Sequence, residues 1–77
     1  MLTAEEIDAA QDLVITMTDI RKSGHCARGA KQWFDANGID FRAHLANGTP
    51  APELIATGDG MVLRMIRLTL RRRHGKE

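Results

Sequence analysis

A chain of 77 residues makes one domain, and at that size a single core without disulfides or metals supplies only about 3–5 kcal/mol of net stability. With 43% hydrophobic and 27% charged residues it has the composition of a soluble globular protein, and residues 2–20 are too polar, and 61–70 too short, to span a membrane. The lone Cys26 excludes an internal disulfide, His25, His44 and His74 lack the spacing of a zinc site, and the acidic start Thr3-Ala4-Glu5-Glu6 is unlike a secretion leader, so a reducing cytoplasm is expected.

Thr3-Ala4-Glu5-Glu6 is a capping box and predicts a first helix carried on by Ile7 and Ala10. The β-prone run Leu13-Val14-Ile15-Thr16 reads equally as a helix end or as a short extended piece, and residues 13–16 stay open between the two. Thr16, with Asp19 three residues on, predicts a short helix from Met17 that stops at Gly24.

The spacing predicts a longer helix over about 25–37. Cys26, Ala30, Trp33 and Phe34 recur on one face as a buried stripe, and Asn37-Gly38 ends it. Gly29 inside that helix costs about 1 kcal/mol relative to Ala and suggests that another backbone crosses closely there. Asp40 caps a short helix ended by Gly48, Thr49-Pro50 reads as a cap followed by proline at the first helical position, and Asp59 caps a last helix over about 60–73. The fold class is all-α: one domain, 1–77, of four to five short helices with a basic end at 71–77.

Charge is unevenly spread on this backbone. The net charge is only +1, yet the first twenty residues carry Glu5, Glu6, Asp8, Asp12 and Asp19 with no Lys or Arg, whereas Arg64 onward is strongly basic. On the last helix, steps of about 100° per residue put Val62, Leu63, Ile66 and Leu70 on a core-facing stripe. Met61, Met65 and Leu68 form a second apolar arc, and Arg64, Arg67 and Arg71 a basic strip. The second arc is either covered by the first helix or is an adaptable contact surface for another protein or another copy.

No catalytic signature is present. His25 and Cys26 are sequence neighbours pointing about 100° apart on a helix, which cannot form a thiolate pair, so Cys26 reads as a core thiol. Ala56-Thr57-Gly58-Asp59-Gly60 lacks the Lys of a phosphate loop and the repeated acids of a calcium loop, and His44 reads as an exposed side chain. Neither an enzyme, a metal, a cofactor nor a small-molecule substrate is expected. The run Arg71-Arg72-Arg73-His74-Gly75-Lys76 reads as a solvated helix end favoured by the dipole, or as a phosphate contact. Thr18 to Lys22, a turn at Ser23-Gly24 and then Cys26 to Phe34 have the outline of a helix-turn-helix with Arg28, Lys31 and Gln32 facing nucleic acid. Ile20 and His25, however, stand where a small and an apolar residue are usual.

The string Thr18-Asp19-Ile20-Arg21, Gly24-His25-Cys26-Ala27-Arg28-Gly29-Ala30, Trp33-Phe34, Gly38-Ile39-Asp40-Phe41, Leu45, Asn47-Gly48 and Ala56-Thr57-Gly58-Asp59 resembles small proteins of tailed bacteriophages and prophages. The resemblance implies a setting and no site residue: a virion component, an assembly factor or a host-directed binder, located in the bacterial cytoplasm or in the virion. The residues therefore lead to an expectation of a small helical protein acting by protein contacts, with a helix-turn-helix DNA binder as the alternative.

Overall fold

The computed structural model describes residues 2–74, as six short helices and one pair of two-residue strands. Thr3 opens α1 (Ala4–Ala9) and Thr16 opens α2 (Met17–Lys22) by the same reciprocal device. Each threonine hydroxyl accepts from the amide three residues on, and the acid there, Glu6 or Asp19, accepts from the threonine amide at 2.9 Å. Between them the open run at 13–16 proves extended. Val14–Ile15 (β1) pairs antiparallel with Thr49–Pro50 (β2), Ile15 opposite Thr49, and the Ala51 amide donates to the Leu13 carbonyl at 2.8 Å. Ile15 is fully buried, so its β-branched side chain serves the core while the strand closes the chain's two halves on each other.

That pairing overrides the expected role of Thr49. It is a buried strand residue and caps nothing; α5 (Ala51–Ile55) starts behind Pro50 without a side-chain cap, with Pro52 in the first turn, where amides lack partners. Helix α4 (Phe41–Asn47) is capped by Asp40 and ended by Gly48 at φ +77°, as its residues predict. Gly48 is obligatory twice over, because a Cβ there would sit 2.5 Å from Val14 Cγ1.

Helix α3 (Ala27–Ala36) starts later than the apolar spacing suggests. Cys26 is its N-cap: the thiol is exposed, outside the core, and accepts from the Gly29 amide at 3.4 Å. Among the described residues no other backbone approaches Gly29 closely; a Cβ there would meet Cys26 Sγ, at an ordinary 3.6 Å. Ala30 and Phe34 are the buried residues of α3, and Phe34 is the hub, with the rings of Trp33, Phe41 and His44 at 5.3, 5.5 and 4.5 Å.

His44, expected to be exposed, is buried at 2% exposure. Its Nδ1 lies 2.6 Å from the Thr49 hydroxyl, its ring stacks on Phe41, and among the described residues its Nε2 has no partner. Burial holds its pKa below the ordinary imidazole value.

The chain is predominantly helical, as its patterning predicts. Helix α6 (Gly60–His74) is the longest element and packs against both α1 and α5. Its core stripe is turned by about 65° from the expected one. Val62, Met65, Ile66 and Thr69 are buried, whereas Leu63 and Leu70 are half-buried. The rotation is permitted because the Thr69 hydroxyl donates to the Met65 carbonyl at 2.9 Å and so enters the core with its polar atom satisfied.

Candidate binding surfaces around helix α6

The start of α6 is fixed by one carboxylate. Asp59 Oδ1 accepts from the Met61 and Val62 amides at 2.9 and 3.4 Å, and Oδ2 accepts from the Trp33 indole N–H at 2.9 Å. The indole donor first, and then the two helix amides, hold the Asp59 carboxyl below the usual range against the opposing effect of burial. Trp33 therefore sets the spacing of α3 and α6.

Between those helices lies an open apolar groove of about 360 Å3. Ile20, Cys26, Gly29, Trp33, Met61 and Met65 are among its lining residues. Here the second apolar arc needs correcting: Met65 is 5% exposed and belongs to the groove floor and core, so it offers no free contact surface. Met61, 63% exposed, is the lip of the groove, and Leu68, 40% exposed, continues the same ridge one and a half to two turns on.

On the other flank of that ridge a second cleft, of about 350 Å3, is lined by Leu2, Gly60, Leu63, Leu68 and the strip Arg64, Arg67 and Arg71. The three arginines differ. Arg67 is bound by Glu6 of α1 through two parallel bonds of 2.9 and 3.0 Å, Nε to Oε2 and Nη2 to Oε1. The Arg67 bond, helped by the Thr3 amide, brings the Glu6 carboxyl down to about 2 and raises Arg67. Arg64 and Arg71 are exposed, and among the described residues neither is bonded to an acid.

The basic end is largely spent within the fold. Arg72 and Arg73 both bond the Asp19 carboxylate, Arg73 Nη2 at 2.6 Å, and Arg73 also donates to the Val14 carbonyl at 3.2 Å. Burial pulls the Asp19 carboxyl upward, but the Thr16 amide, Arg73 and the Thr16 hydroxyl outweigh it and leave the carboxyl lowered. The expected basic contribution of residues 75–77 lies outside the described residues.

Helices α2 and α3 pack together across Ser23 to Cys26, with Gly24 at φ +93°. Arg28, Lys31 and Gln32 are all exposed on α3, and Lys31 is paired with Asp35 at 2.7 Å. Ile20 is buried and His25 lines the apolar groove.

Among the described residues, no three His, Cys, Asp or Glu side chains gather as a metal site, and no helix is long and apolar enough to cross a membrane. The only cysteine thiol is engaged with the Gly29 amide. Sequence spacing missed the Trp33–Asp59 bond and the Asp19 clamp because both join residues far apart in the chain. The one advance signal was an indole, which needs an acceptor when half-buried, on a helix otherwise lined with apolar residues. No protein-family model, curated protein or solved structure matches this chain.

Proposed function

We propose that this is a small helical binding protein of phage or prophage origin that works by holding another protein in the α3–α6 groove, in the host cytoplasm or within the virion. The observation that carries this reading is the groove itself: an apolar channel open to solvent, with Trp33 in its wall and exposed Met61 on its lip. Concave, mostly apolar clefts of this size are where ligands and partner side chains bind, and methionine adapts to varied partners. The resemblance of the string from Thr18 to Asp59 to small phage and prophage proteins is what supports that setting. No reaction, cofactor or small-molecule substrate is assigned.

The test is two-hybrid and co-purification against the products of the genes flanking its own. Gly29→Leu, which fills the groove, and Met61→Asp, which charges its lip, are expected to abolish the interaction while far-UV circular dichroism stays unchanged. A wild-type protein that captures none of those products, or a partner indifferent to both substitutions, overturns the reading.

One observation favours a second reading, in which α2 and α3 form a helix-turn-helix that contacts DNA. The two helices pack together across a glycine turn, with Arg28, Lys31 and Gln32 outward. It predicts duplex retardation that falls steeply with salt and is lost in Arg28→Ala. Absence of retardation at low salt removes it.

A further inference from the structure

We propose that two copies of this chain associate about a two-fold axis across the α1/α6 face, the exposed acids of α1 in one copy meeting Arg64 and Arg71 of the other. This goes beyond the partner-binding reading above, which uses the other flank of the α6 ridge.

The argument starts from the Glu6–Arg67 bond, which lays the acidic helix against the basic one. Around that internal pair, charge of both signs is left over on adjoining helices. Glu5 and Asp8 on α1, and Asp12 just beyond it, are exposed; on α6, Arg64 and Arg71 are exposed and unmatched among the described residues. No Lys or Arg dilutes the first twenty residues. A surface carrying an acidic row beside a basic row is self-complementary under a two-fold rotation, which sets each row over its opposite. Beside Arg64 and Arg71, half-buried Leu63 and exposed Leu68 line the same cleft and add some apolar area to the face.

The same arrangement disfavours nucleic acid as the occupant, because a phosphate backbone lying along Arg64 and Arg71 would run beside the α1 carboxylates. It also answers the marginal size of the domain, since a second copy adds a buried surface that 77 residues alone lack.

Sedimentation velocity over a concentration series tests it, at low salt and at about 0.5 M salt, where exposed charges are screened within a few ångströms. A dimer that weakens with salt is expected. Arg64→Glu with Arg71→Glu should be monomeric, and so should Glu5→Arg with Asp8→Arg. Mixed one to one, the two swapped proteins should form a dimer again, because every acid then faces a base. If a swap loses helicity by circular dichroism, Arg64→Gln with Arg71→Gln replaces it and should weaken association about tenfold, a change of roughly 1.4 kcal/mol. The proposal is overturned by a wild-type protein that stays monomeric at low salt, by a dimer that folded swaps leave unchanged, or by swapped partners that fail to recombine. A monomer whose retardation of duplex DNA is lost in Arg64→Glu with Arg71→Glu overturns it in favour of phosphate. Met61→Asp should leave the dimer intact, so the failure of either reading is distinguishable from failure of the other.

Discussion

The indole of Trp33 and the carboxylate of Asp59 join the two longest helices by a single 2.9 Å hydrogen bond, and the same carboxylate caps α6. One side chain thus sets both where α6 begins and how far α3 stands from it, and with that the width of the apolar groove. Asp59→Ala should cost about 2 kcal/mol, the sum of a lost cap and a lost side-chain bond. Asp59→Asn, which keeps an acceptor, should cost less. Urea unfolding followed by Trp33 emission checks both, since Trp33 is the only tryptophan and loses its acceptor in the alanine variant.

Asp19 makes a different kind of joint. It is 3% exposed, completes the cap of α2, and takes two arginines from the far end of the chain. Asp19→Ala leaves Arg72 and Arg73 without their acid and the Thr16 amide without its acceptor, and should destabilise by about 3 kcal/mol. Because the folded carboxyl is held below its unfolded value, its stabilisation is complete above about pH 4 and is lost as the pH falls through the folded value. Denaturant midpoints measured from pH 5 downward should fall in the wild type and fall less steeply in Asp19→Ala.

Helix starts were the most legible part of the sequence. Thr3, Thr16, Asp40 and Asp59 each cap where a cap was read, since a capping side chain bonds an amide two or three residues away and needs no tertiary information. Thr49 and His44 differ from the expectation for the opposite reason: their positions depend on contacts with β1 and with Phe34, which spacing on a single helix does not encode. Cys26 is itself a local cap, but cysteine is not among the usual capping residues, so its type points to the core instead. Met65 differs from the expectation through Thr69: a polar residue type reads as outward-facing, whereas its hydroxyl donates to the carbonyl four residues back and lets it enter the core. The candidate site was legible as an apolar surplus on α6, and only the fold showed that part of this surplus is floor and part is lip.

Two glycines should respond oppositely to alanine. Gly29 sits in α3 with an ordinary 3.6 Å contact awaiting a Cβ and no positive φ, so Gly29→Ala should stabilise by about 0.5–1 kcal/mol. Gly48 has φ +77° and a Cβ position 2.5 Å from Val14 Cγ1 and 3.1 Å from the Ile15 carbonyl oxygen. Gly48→Ala must adopt a left-handed backbone and push β1 off β2, and should destabilise by at least about 2 kcal/mol. Paired thermal melts give the sign of each effect directly.

His44 makes the corner between α4 and β2 sensitive to acid. Its ring is enclosed by Phe34, Phe41 and Thr49, none of which offers a carboxylate, and its Nε2 has no acceptor for a second proton. The neutral ring is therefore the folded form, and desolvation lowers its pKa from 6.5. In the unfolded chain the ring takes a proton near its ordinary value. Between the two values the unfolded state binds more protons, so stability rises with pH there and declines as the pH falls below about 6.5. Midpoints of urea unfolding taken between pH 7.5 and 5.5 should decrease in the wild type. In His44→Leu the slope over that interval should flatten, although the protein starts from a lower midpoint because Thr49 loses its partner and the cavity repacks. An unchanged slope in the variant would overturn the assignment of this pH dependence to His44.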